Sequence, residues 1–164
     1  NKIKFFPERY IKNPPFPFGS RNKDTAFRSE LHFLQQLIKR NKSVRNYDNR
    51  YNGRIILLDR TPLCVLVYSK ALFLKEKDYQ LIQKHFSSIK WREDYILYLT
   101  ADIETILTRI YKRGSLETIR RKWNEDDKNY LSNVLSFYEQ IIEEYNQNEK
   151  NIRLDTDNLE PYQV

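Results

Sequence analysis

The sequence predicts an α/β layered fold with a parallel sheet, on three observations. Apolar runs of strand length, Arg54–Leu58 and Tyr95–Leu99, recur along the chain. Segments whose apolar residues fall at helical spacing separate them, which argues for βαβ units. Both runs lead into polar residues, Asp59-Arg60-Thr61 and Thr100, where a parallel sheet exposes the carboxyl ends of its strands. Near-continuous Ile/Leu runs of this kind are expected to be buried on both faces.

Lys2 to Phe6 reads as a short strand ending at Pro7-Glu8, and residues 13–19 as a proline-broken loop. From Asp24, a candidate N-cap, Phe27, Leu31, Leu34, Leu37 and Ile38 mark a helix expected to end near Arg40-Asn41. The polar residues 41–53 then form an exposed connection to the strand Arg54–Leu58. Pro62 suits the first turn of a helix over Leu63–Phe73, and Tyr79, Ile82 and Phe86 share one face of a helix over Lys77–Phe86. After the Tyr95–Leu99 strand, Asp102 is a candidate cap for a helix striped by Ile103, Ile106, Leu107 and Ile110. A longer helix carries Leu131, Val134, Leu135, Tyr138, Ile141, Ile142 and Tyr145, and Ile152–Asp155 closes the chain as a strand. The apolar faces can all be assigned to one core.

The 164 residues, 40% hydrophobic, fit one domain. With 29 Lys and Arg against 22 Asp and Glu the chain is +7, which favours anionic partners; the alternative is a well-solvated surface. Cys64 stands alone in an apolar run, so no internal disulfide can form and a buried, inert thiol is expected. No stretch reaches the length of a membrane span and no export signal is seen, so a cytoplasmic location without membrane partners is expected. Met is absent even at position 1, which leads us to expect that the chain starts downstream of its initiator.

The candidate chemistry rests on charged residues. Glu8, at the end of a strand, is an acid able to accept a proton from a substrate hydroxyl, or else a surface charge. Asp59-Arg60 follows four aliphatic residues and belongs at the functional edge of the sheet; its alternative is a structural ion pair. Arg109 and Arg113 are four apart and share a helix face, with Gly114 allowing the helix to end beside them. Arg120, Arg121 and Lys122 extend this cationic patch. Guanidinium groups clamp phosphoryl oxygens, but cations also favour helix C-termini for their dipole, here with Glu117, Glu125 and Asp126 as partners. His32 and His85 lack partners at metal-ligand spacing, and nothing suggests covalent catalysis.

Taken in order, Phe5-Phe6-Pro7-Glu8, the segment Ala26–Leu34, Leu58-Asp59-Arg60-Thr61 and the segment Arg109–Glu117 resemble the P-loop nucleoside and nucleotide kinases, in particular the deoxynucleoside kinase and thymidylate kinase group. The resemblance implies a three-layer parallel sheet flanked by helices, with a lid at about 109–126 in one kinase-like domain. It implies ATP-dependent phosphoryl transfer to a nucleoside or nucleoside monophosphate, with ATP and Mg²⁺ as cofactors. Glu8 then matches the acid that activates the acceptor hydroxyl. Asp59 and Arg60 match the pair near the metal and the phosphates, with Asp59 organising Mg²⁺. Arg109 and Arg113 match lid arginines that close over ATP, and Glu117 a lid acid that reaches the acceptor sugar. Glu30 stands where a glutamine often reads the base, and its carboxylate departs from that pattern. Ser115 replaces a further lid arginine, for which Arg120 or Arg121 can compensate. The side chains at 8, 59, 60, 109 and 113 are expected to converge on one polyphosphate cleft.

The chain also departs from the family at its front. Its only glycines, Gly19, Gly53 and Gly114, do not begin the Gly-x-x-x-x-Gly-Lys-Ser/Thr loop that cradles phosphate, and a strand–loop–helix unit carrying it would precede Lys2. The chain as given is therefore expected to be a poor catalyst. A non-catalytic nucleotide-binding or scaffold protein of the same fold is the alternative, as is a basic nucleic-acid-binding module. No recognised nucleic-acid motif is present, so nucleic acid is not the expected partner. Family members often dimerise through helices of this bundle, which admits a homodimer.

Overall fold

A computed structural model describes residues 3–8, 19–51, 53–114, 124, 126–145, 151–160 and 163. The chain divides into two compact units, Asn1–Glu93 and Asp94–Val164, each mixed α/β and each holding one two-stranded parallel sheet.

In the first unit, β1 (Ile3–Phe6) leads to α1 (Lys23–Arg50), β2 (Ile55–Leu58), α2 (Cys64–Ala71) and α3 (Glu76–Ser87). Asn22, not Asp24, caps α1: its Oδ1 accepts from the backbone N–H of Asp24 and of Thr25, both at 3.0 Å. Asp24 instead pairs with Lys75 at 2.7 Å, and that pairing lowers its pKa. The helix runs ten residues past its expected end at Arg40, through residues read as an exposed connection. No Gly or Pro interrupts 41–50, Val44 is buried, and the polar side chains there hydrogen-bond other elements. Asn41 both donates to the Lys90 carbonyl and accepts from the Arg92 N–H, while Asp48 pairs with Arg92 at 2.7 Å. Gly53, at φ 77°, makes the turn into β2.

α2 forms the centre of this unit. Leu63, Val65, Leu66, Val67 and Ala71 are buried where α1, α2 and α3 pack on one another, and Cys64 is buried and in no disulfide, as expected. Ile82 and Phe86 of α3 and Ala26 and Leu34 of α1 complete the core.

The second unit runs β3 (Ile96–Thr100), α4 (Ile103–Lys112), α5 (Lys128–Tyr145) and β4 (Asn151–Asp155). Val134, Ile141 and Ile142 are the buried residues of α5, and Tyr98 of β3 stacks on Tyr138 at 5.9 Å. Asp102 takes the N-cap position of α4 but makes no cap bond with its side chain. Asp157, from beyond β4, accepts instead from the Asp102 N–H at 2.8 Å; this bond, helped by Thr105 and Arg109, lowers the Asp157 pKa. Gly114, at φ 108°, ends α4 as its position suggested.

Both sheets differ from expectation in one respect. The register pairs Ile3 with Ile55 and Phe5 with Leu57, and these four side chains, on one face of the first sheet, are 51–62% exposed. Leu97, Leu99 and Ile152 likewise lie bare on one face of the second, at 47–55%. The apolar runs were read as strands buried on both faces and as parts of one core. Each sheet is instead covered on one side only, because the described helices of its unit pack on the other. Phe6 against Tyr47 and Tyr98 against Tyr138 mark the covered sides. Among the described residues, no helix is long and apolar enough to cross a membrane.

Candidate functional site

Parallel pairing sets the site in the first unit. With Phe6 opposite Leu58, the chain leaves both strands at the same carboxyl edge, so Pro7-Glu8 and Asp59-Arg60 emerge side by side although 51 residues separate Glu8 from Asp59. The Asp59 N–H donates to the Phe6 carbonyl at 3.1 Å, one step beyond the ladder, and the Glu8 N–H donates to Asp59 Oδ2 at 3.3 Å. Arg60 then turns back, its backbone left-handed at φ 64°, and its Nε meets Glu8 Oε2 at 2.9 Å. A non-glycine residue in that region costs about 1–3 kcal/mol, and it persists only where surrounding contacts over-determine it.

Those contacts come from Arg40, on α1. Its guanidinium donates to the carbonyl of Asp59 at 2.6 Å and of Arg60 at 2.8 Å, gripping the turn by two consecutive backbone oxygens. Arg60 also donates to the Tyr68 hydroxyl at 3.3 Å and lies over its ring. Beyond the turn, Thr61 Oγ1 accepts from the Leu63 N–H, which starts α2, and donates to Glu93 Oε2 at 3.0 Å. Burial pushes the Glu93 pKa up to about 7, opposed by the Thr61 hydrogen bond and the Arg40 charge. The arrangement presents a carboxylate able to take a hydroxyl proton beside a guanidinium that can pair with anionic oxygens.

The resemblance placed Glu30 at a position that reads a base, and α1 holds it in the interior, 4% exposed. Burial raises its pKa to about 8, which favours the uncharged acid over the carboxylate. A protonated carboxyl offers one donor and one acceptor, the same pair a glutamine amide presents.

In the second unit, Arg109 is held by the loop after β4. It donates to Thr156 Oγ1 at 3.0 Å, to the Thr156 carbonyl, and to the Leu159 carbonyl at 3.2 Å. Arg113 is exposed at the C-cap of α4. A polar hollow of about 160 Å³ lies at the carboxyl edge of this sheet, lined by Tyr98, Thr100, Asp102, Glu139, Arg153 and Asp155. Ligand pockets for drug-sized molecules run from about 300 Å³, so the hollow is small for a nucleoside.

Of the sequence-derived site, the structure therefore brings together Glu8, Asp59 and Arg60. Arg109 and Arg113 belong to the other unit, and Glu117, Arg120 and Arg121 lie outside the described residues. Arg40, Thr61, Tyr68 and Glu93 were not singled out. Arg40 was taken as a helix end, and the signal that could have corrected this is the lack of any Gly or Pro between it and Gly53. No protein-family model, curated protein or solved structure matches the chain.

Proposed function

We propose that this chain is most of a nucleoside or nucleotide kinase of the P-loop group, and that Glu8, Asp59 and Arg60 form its phosphoryl-acceptor site. The single observation that supports the reading best is the meeting of Glu8, Asp59 and Arg60 at the carboxyl edge of a parallel strand pair, with Arg60 held in a strained turn. Glu8 takes the proton of the acceptor hydroxyl. Arg60 orients Glu8 and can pair with an anionic oxygen brought beside it, so what these residues supply is positioning plus electrostatics. Arg113 and Arg109, with Arg120 and Arg121, belong to a lid, and Glu117 reaches the acceptor sugar.

The cofactors fit unequally. Mg²⁺ binds through one or two carboxylates plus phosphate oxygens and water, and exposed Asp59 suits that role. Among the described residues no group of three or more His, Cys, Asp or Glu could hold a metal by itself. ATP does not fit the sequence as given, which contains no glycine-rich cradle for its phosphates, so no step is derived through ATP. The bare sheet faces support a three-layer arrangement, since parallel sheets are covered by helices on both sides.

The test is thermal stabilisation of the chain by a panel of nucleosides and monophosphates. At least one is expected to raise the midpoint, and Glu8→Gln with Arg60→Met to abolish the rise. No stabilisation by any member overturns the reading. Stabilisation without phosphorylation, in a version carrying a phosphate loop, would instead identify a non-catalytic nucleotide-binding protein.

A further inference from the structure

The +7 charge is unevenly divided. Residues 1–93 carry 20 Lys and Arg against 8 Asp and Glu, a formal +12, while 94–164 carry 9 against 14, or −5. The acceptor site uses only two of these cations, Arg40 and Arg60. Many of the others lie on the second half of α1 and at the amino-terminal ends of β1 and β2. Lys39, Lys42 and Arg50 are exposed and fall at i, i+3 and i+11, on one helix face over about 17 Å. At the end of that stripe an aromatic cluster begins. Tyr47 and Tyr51, one turn apart, hold their rings 4.8 Å from each other, and Phe6 meets Tyr47 edge-on at 5.9 Å.

Cations are interleaved with these rings. Lys4 Nζ lies 5.8 Å from the centroids of both Phe6 and Tyr47. The Arg54 guanidinium lies 5.0 Å over Tyr51 and donates to the Tyr47 hydroxyl at 3.2 Å. None of Lys4, Lys39, Lys42, Arg50 and Arg54 pairs with a carboxylate among the described residues. A single-stranded nucleic acid supplies what this surface lacks: bases with π-faces for the tyrosines and phosphates for the cations. A duplex keeps its bases stacked and offers only the charge. The sequence, lacking a recognised nucleic-acid motif, kept this reading only as an alternative, but stacking on exposed Tyr51 beside cations that pair with no carboxylate among the described residues needs no motif.

We propose that the amino-terminal edge of β1 and β2, with the last turns of α1, binds single-stranded nucleic acid, exposed Tyr51 stacking a base with half-buried Tyr47 packed behind it, while Lys4, Lys39, Lys42, Arg50 and Arg54 hold phosphates. The site shares no residue with the acceptor site and is independent of the kinase reading.

Fluorescence anisotropy of the whole chain with a labelled oligothymidine of about 16 nucleotides, the upper size of one such groove, tests it. Five phosphate contacts predict affinity falling about 130-fold between about 50 and 200 mM salt. Lys42→Glu with Arg50→Glu, both on the solvent face, is expected to weaken binding at least about tenfold, with a shallower salt dependence. Tyr51→Ala is expected to cost about fivefold or more with the salt dependence unchanged, and Tyr51→Phe to bind as the parent does. Absence of binding at low salt, equal competition by duplex, tighter binding to anionic vesicles than to the oligonucleotide, or indifference to both sets of substitutions would each overturn the proposal.

Discussion

The two units are built alike and use their sheet edges differently. Each pairs two parallel strands across a helical crossover and collects polar residues where the strands end. In the second unit Asp157 satisfies the start of α4, and Arg109 of that helix ties down the loop at Thr156 and Leu159. In the first, Arg40 of α1 does the same tying, and the difference lies in the charged side chains that stand beside it. Because Arg40 holds the Asp59 and Arg60 carbonyls, the side chains of Arg60 and Glu8 are left at the surface paired with each other, with the Asp59 carboxylate beside them on the Glu8 N–H. Charged residues at a strand end serve the fold when they bind backbone and can serve chemistry when another residue does that for them.

The largest expected effect concerns the buried acids of the first unit. Glu30 and Glu93 have folded-state pKa values raised to about 8 and about 7, so the folded form retains protons that the unfolded chain releases. The stability these two acids contribute is therefore fully present below the ordinary carboxyl range and is lost as pH rises towards 8, by an amount on the order of 3–5 kcal/mol at most for Glu30. Urea unfolding followed from pH 5 to pH 8.5 should show the decline. Glu30→Gln should remove most of it and Glu93→Gln a smaller share, while a flat profile in the parent would break the assignment.

Arg40→Met comes next. Loss of two charge-assisted hydrogen bonds is expected to cost about 2 kcal/mol. It should also abolish nucleoside-dependent stabilisation, since Arg60 then has no reason to keep its turn. Arg109→Met, the matching change in the second unit, gives up three part-buried bonds and should cost at least as much, about 2–4 kcal/mol, while leaving nucleoside binding intact. Equal effects of the two on binding would erase the contrast between the edges.

Arg60→Gly should alter stability least. It relieves a left-handed backbone worth about 1 kcal/mol and gives up an exposed ion pair worth less than about 1 kcal/mol, so the unfolding midpoint should hold or rise slightly. Nucleoside binding should nevertheless be lost.

Much of this architecture was legible in the sequence. The apolar stripe after Asp102, the helix stop at Gly114 and the strand runs at 55–58 and 96–100 follow from periodicity and from glycine's freedom at positive φ. The second half of α1 was not legible, because Asn41, Arg45 and Asp48 look like loop residues until their partners Lys90 and Arg92 are known. Glu8 and Asp59-Arg60 could be named from their place after apolar runs. The grip of Arg40 could not, since it depends on a helix and a strand end meeting in space. Nor could the protonation of Glu30, which follows from burial rather than from residue type. The bare faces of the two sheets contradict the inference from apolar runs, which report what a strand can bury rather than what its own unit supplies to cover it.

The central claim is that the first unit's edge, not the second's, meets the acceptor. Side-chain NMR of the chain with ¹⁵N-labelled arginine, titrated with a nucleoside that stabilises it, tests this directly. The account predicts a shift of the Arg60 Nε–H resonance that Glu8→Gln abolishes, with Arg109 unmoved. A titrating Arg109 beside a silent Arg60 would contradict it.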